Sequence, residues 1–267
     1  MSTYLLDFVE QLDEKWKEVD TLLNEAKKHE ESNSELYNAL CRSITVLIVA
    51  HLEGFTKDLV KAIVRDVNQE LAFGNLSIAM QRTYCRKYLG EQHEVNGNYE
   101  SKLKKLIEKF CEVGGKISHE PFLKSSNKNP KPDVIKTIFE NFGVNDVFTK
   151  LHKSTLDEVF SESDKELENK ISVSKQYLKA STNNFPYPCT KEALGIQTSK
   201  NKSKERTLWQ VFLDEINQKR HEVAHGNDFE NGESVNVLES RKNKIVYLQL
   251  GLVQLIASTI SDKVEVS

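Results

Sequence analysis

The sequence predicts an all-α protein with four long core helices and a set of shorter helices between the second and third of them. Three observations predict it. Apolar residues recur at spacings of three and four over long stretches, the period of a helix with one buried face. Pro and Gly are sparse, 5 and 11 in 267 residues, so little interrupts those stretches. Hydrophobic residues make up 38% and charged residues 29%, a balance that suits helices with much exposed surface.

The first helix is expected over 4–28, where Leu5, Phe8, Val9, Leu12, Trp16, Val19, Leu22 and Leu23 form one face. A polar break at 30–34 separates it from a second helix over 34–73, with Ser34 as its N-cap. That helix is apolar on two sides. Tyr37, Leu40, Ile44, Leu47, Ile48, Phe55 and Leu59 make one stripe, and Val46, Val49, Val60, Val64 and Val67 the other. A helix apolar nearly all round belongs in the centre of a fold. His51 falls within the first stripe and Glu53 within the second.

Residues 74–200 are less regular. Helices are expected near 77–90, 99–113, 132–142 and 154–180, with an exposed loop at 124–132 and breaks at 183–188 and 198–203. This region reads as a helical insertion on one side of a single domain spanning 1–267. A third core helix over 206–225 carries Trp209, Phe212, Leu213, Ile216 and Val223. After an Asn-, Asp- and Gly-rich loop, the last helix over 233–263 carries Val237, Leu238, Ile245, Leu248, Leu252, Leu255, Ile256 and Ile260.

The net charge is −3, from 37 basic and 40 acidic side chains. A generic nucleic-acid coat is clearly basic, so any RNA contact has to be a local patch. Cys41, Cys85, Cys111 and Cys189 form no C-x-x-C pair and lie at no zinc-finger spacing from a histidine. They read as reduced thiols of a cytosolic protein, two of them in the core, and neither metal nor cofactor is expected. No signal peptide is evident at the N-terminus. The apolar stretch 44–52 is short of the ~20 residues that span a bilayer. The stretch 245–260 carries Gln249 and Gln254 and reads as a buried helix.

The most informative residues close the third core helix: Arg220-His221-Glu222-Val223-Ala224-His225, with Gly226 directly after. Arg and His are the side chains that cleave RNA without a metal. His moves a proton near neutral pH, and Arg is a fixed cation that grips a phosphate through two hydrogen bonds. At ~100° per residue, with Ile216 as zero, Arg220 lies near ~40°, inside the apolar stripe. His221 and His225 lie near ~140° and ~180°, on the other side. A straight helix therefore does not put Arg220 and His225 on one face. A distorted helix end or a second copy of the helix brings them together. The plainer reading makes Lys219, Arg220, His221 and His225 caps that compensate the helix dipole. Just upstream, Lys200, Lys202, Lys204 and Arg206 are either a solvated loop or a path for an RNA backbone.

The segment 216–226, Ile-Asn-Gln-Lys-Arg-His-Glu-Val-Ala-His-Gly, resembles the signature of the HEPN superfamily (higher eukaryotes and prokaryotes nucleotide-binding domains). That signature is Arg, four to six residues, then His, with a polar residue directly after the Arg; His221 matches that polar position. The segment 49–59 around His51 and Glu53 is similar to the second core helix of HEPN-like nucleases of the RiboL-PSP and MAE type, and 132–139 resembles the same branch. The resemblance implies an up-and-down four-helix bundle, dimeric, with the motif at a cleft between protomers. It implies an endoribonuclease whose catalytic residues are Arg220, His225 and His221. His225 acts as general base or acid, Arg220 holds the scissile phosphate and His221 orients it. Glu53 holds Arg220 from the neighbouring helix, and His51 and Asn217 support the site. At the level of the superfamily it further implies a toxin or antiphage-defence effector, with an antitoxin or regulatory protein as partner. One departure stands out. Toxins of this superfamily silenced by nucleotidyl transfer carry Tyr two residues after the motif His, where this chain has Asn227. The rival expectation is a HEPN-like module without catalysis, serving dimerisation or the binding of RNA or protein.

Overall fold

The computed structural model describes residues 2–90, 98–124, 129–152, 154–195, 206–226 and 233–262. Among these the chain is all-α, with ten α-helices and no strand. They are α1 (Tyr4–Glu10), α2 (Leu12–His29), α3 (Ser34–Glu70), α4 (Ile78–Leu89), α5 (Tyr99–Val113), α6 (Pro132–Asn141), α7 (Val147–His152), α8 (Asp164–Ser181), α9 (Leu208–Ala224) and α10 (Val235–Ser261).

Helix α3 is the centre, as its two apolar stripes require: α1, α2, α9 and α10 all pack on it. Ile44, Leu52, Phe55 and Leu59 of α3, Trp16 and Val19 of α2, Trp209 and Leu213 of α9, and Leu248 and Leu252 of α10 belong to one contiguous core. Both α3 and α10 are long and apolar enough to cross a membrane by length and composition. In α10, however, 89% of the most apolar stretch is buried inside the chain, and its glutamines are used internally. Gln249 Oε1 accepts from Trp16 Nε1 at 3.0 Å, and Gln254 Nε2 donates to the Thr190 carbonyl at 3.1 Å.

A buried carboxylate fixes the N-terminus. Asp66 accepts from the Tyr4 and Leu5 backbone amides at 2.7 and 2.9 Å and from the Tyr187 hydroxyl at 2.8 Å. It thereby satisfies free donors at the start of α1. Burial pushes the Asp66 carboxyl up, against the opposing pull of these three donors.

Several boundaries differ from expectation, each for a local reason. The first helix is two. Gln11 interrupts it, yet its amide and carbonyl still bond Asp7 and Lys15, so the apolar spacing runs through unbroken. Asn33, not Ser34, caps α3, its side chain accepting from Leu36 N–H; Ser34 is the first helical residue. The expected helix over 154–180 is a 3-10 turn at 155–160 followed by α8, which starts at a Ser163–Glu166 capping box. Helix α7 was not expected at all; at 6 residues it is too short to show a period. Helix α8 also packs on α10 and α1, so this part of the 74–200 region lies within the core. Three of the four cysteines are buried and only Cys111 is exposed.

Candidate active site at the end of α9

Helix α9 begins at a capping box. The Thr207 hydroxyl accepts from the Gln210 amide while Gln210 Oε1 accepts from the Thr207 amide. It ends because Gly226 turns left-handed at φ 70°, a conformation that costs glycine nothing. His225 is the last capping residue, its amide donating to the His221 carbonyl at 3.1 Å. Trp209, Phe212, Leu213 and Ile216 are buried, which anchors the helix and fixes where its last turn points.

That turn exposes both His221 and His225. Their ring centroids are 4.2 Å apart and the planes meet at 56°, so two groups able to accept or give a proton stand side by side. Arg220 is half-buried, at the end of the apolar stripe, and makes no hydrogen bond or ion pair among the described residues. The stripe therefore ends in a guanidinium with no anionic partner among the described residues. Glu222 between the motif residues accepts from Gln218 Nε2 at 3.0 Å and pairs with Lys219 at 3.2 Å, which holds its carboxyl below the usual range.

Glu53 does not hold Arg220. Although α3 and α9 pack together, the Glu53 carboxylate takes Lys57 Nζ at 2.6 Å, one turn along its own helix, and its side chain is 35% exposed. Residues four apart on a helix are surface neighbours, which puts Lys57 within reach of Glu53. His51 lies in the α2–α3 interface with its ring centroid 5.0 Å from that of Trp16. Its Nε2 is buried without a partner, and burial pushes its pKa down. Asn217 is buried and ties α9 to the segment before α6. Its Nδ2 donates to the Leu213 carbonyl at 2.8 Å and the Pro130 carbonyl at 3.3 Å. Arg206 pairs with Asp214; Lys200, Lys202, Lys204 and Asn227 lie outside the described residues.

Beside the motif runs a cleft of about 640 Å³, between α9 and the 129–131 segment. His221 and Asn217 line it, and so do Asn129, Lys131 and Arg241, three residues to which no sequence signal pointed. Lys131 falls in the stretch expected to be an exposed loop. Arg241, on α10, shows no spacing relation to the motif, and only the packing brings it there. Among the described residues no group of three His, Cys, Asp or Glu is placed to hold a metal ion.

An all-α bundle centred on one long helix fits the HEPN class. The family model RiboL-PSP-HEPN matches residues 10–162, more than half of the chain, and the chain belongs to that family. The matched span covers α2 to α7 and stops before α9, so Arg220, His221 and His225 stand on the geometry of α9 alone. No curated protein and no solved structure matches the chain.

Proposed function

We propose that this chain is a metal-independent endoribonuclease acting as a symmetric homodimer, in the role of a toxin or antiphage-defence effector held in check by an antitoxin or regulatory protein. The observation that carries the reading is the pairing of His221 with His225, rings 4.2 Å apart on an exposed helix end that also carries Arg220, which has no anionic partner among the described residues. Two imidazoles suit a reaction that needs one base and one acid. One takes the proton of a ribose 2′-OH as that oxygen attacks the adjacent phosphorus. The other gives a proton to the departing 5′-oxygen. The products are a 2′,3′-cyclic phosphate and a free 5′-hydroxyl. Arg220 offsets the charge that builds on the phosphoryl oxygens. On one helix Arg220 and His225 are ~140° apart, so in the dimer one protomer's Arg220 serves the histidines of the other.

Labelled RNA incubated with the full-length protein in EDTA tests this. Cleavage is expected from the wild type and not from His225→Ala, with light scattering giving a dimer for both. DNA, lacking the 2′-OH, is expected to remain intact. Undiminished cleavage by His225→Ala, or a strict requirement for divalent metal, overturns the mechanism and leaves an RNA- or protein-binding module as the better reading.

A further inference from the structure

The small net charge of the chain conceals a division. Residues 82–136 carry 12 Lys and Arg against 7 Asp and Glu, a net of +5, while the rest of the chain carries −8. The basic stretch comprises most of α4, all of α5, and α6 as far as Lys136, and the fold presents part of it as a cleft. Arg86, Lys87 and Lys124 line a depression of about 520 Å³ between α4 and α6, with Glu120 as its only carboxylate among the lining residues. Thr137 and Asn141 of α6 close its far wall. Arg86 and Lys87 are exposed, and neither makes an ion pair among the described residues. Next to them Tyr88 is 52% exposed. Its ring is held at 5.6 Å from Tyr84 and 5.4 Å from Phe110, and Lys87 Nζ lies 5.7 Å from its centre.

Helix α6 joins this depression to the cleft at His221. It packs on both α4 and α9, and Lys131, at its start, lines the cleft beside His221. A polyanion lying on the basic depression and following α6 therefore arrives at His221, the motif residue that lines that cleft. We propose that single-stranded RNA binds along this route, its phosphates against Arg86, Lys87 and Lys131 and a base stacked on Tyr88. A basic groove interleaved with an exposed, braced aromatic ring is what sequence-tolerant single-strand binding requires. The inference deepens the ribonuclease reading and rests on it for the direction of the route, not for the binding itself.

The test separates the two. The probe is a fluorescein-labelled 2′-O-methyl RNA 12-mer, which cannot react through its 2′ oxygen, titrated by anisotropy into the full-length protein over a range of salt. Arg86→Ala/Lys87→Ala/Lys131→Ala is compared with Lys17→Ala/Lys28→Ala/Lys165→Ala, a variant with the same change in net charge and no residue in the basic stretch. For single strands each neutralised phosphate contributes about 0.7 to the slope of log K against log salt. The groove variant is expected to bind at least about tenfold more weakly, with a slope flatter by about 2. The control should stay near wild type. Tyr88→Ala should lose about fivefold or more, and Tyr88→Phe should not. Equal losses in both triple variants, or wild-type affinity in the groove variant, overturn the route. Cleavage of a trinucleotide RNA is read in parallel. A wild type that cleaves it while the groove variant binds the 12-mer normally keeps the nuclease and loses the route. A wild type that never cleaves while the groove variant loses binding keeps the route and loses the nuclease.

Discussion

Replacing Arg220 by Ala separates a catalytic arginine from a structural one. Had Arg220 been paired with a buried Glu53, its removal would strand a charge and cost on the order of 3–5 kcal/mol. Glu53 instead keeps Lys57 at 2.6 Å and stays 35% exposed, so no carboxylate among the described residues is stranded. What Arg220→Ala does remove is the packing of a half-buried methylene stem. With about 50 Å² of apolar contact at ~25 cal/mol per Å², the cost is about 1 kcal/mol. Activity should fall far more, by about 10²–10³-fold, the usual effect of removing one group that stabilises transition-state charge. Arg220→Lys should fall in between, because an ammonium keeps the charge and loses the two-pronged grip. Urea unfolding of wild type and both variants, alongside initial rates of RNA cleavage in EDTA, gives both quantities. A stability decrease of about 3 kcal/mol or more, with residual activity tracking only the folded fraction, would refute the reasoning and make Arg220 a structural residue.

Three further outcomes follow from the packing. Asp66→Ala leaves the amides of Tyr4 and Leu5 and the Tyr187 hydroxyl without their acceptor, at roughly 1 kcal/mol or more for each buried donor. A decrease of about 3 kcal/mol in urea unfolding is expected, and one below about 1 would show that water replaces the carboxylate. Gly251→Ala places a methyl group into the fully buried Leu156 side chain. Overpacking of about 1–3 kcal/mol is expected, relieved by Leu156→Val. His51 has its pKa pushed down by burial, so between its folded and unfolded values the unfolded chain binds more protons and stability rises with pH. Melting temperature should drop from about pH 7.5 to about pH 5.5, and the drop should shrink in His51→Asn; equal slopes would mean that His51 does not titrate on unfolding.

The fold class, the central place of α3, the buried α10 and the extent of α9 were all legible in the sequence. Each depends on local periodicity or on a stop signal: the double stripe of α3, the apolar stripe of α9 and the Gly226 that ends it speak for themselves without knowledge of any neighbour. The separation of Arg220 from His225 around α9 was equally legible, since helical geometry alone sets it. Only the tertiary structure decided which groups meet. It gave Glu53 to Lys57 and not to Arg220, set His51 against Trp16, brought Arg241 and Lys131 to the cleft beside His221, and made α8 a neighbour of α10. A periodic pattern states which face of a helix is buried, but the partner on the far side of that face is chosen by packing between segments distant in the chain, and no spacing within either segment encodes it.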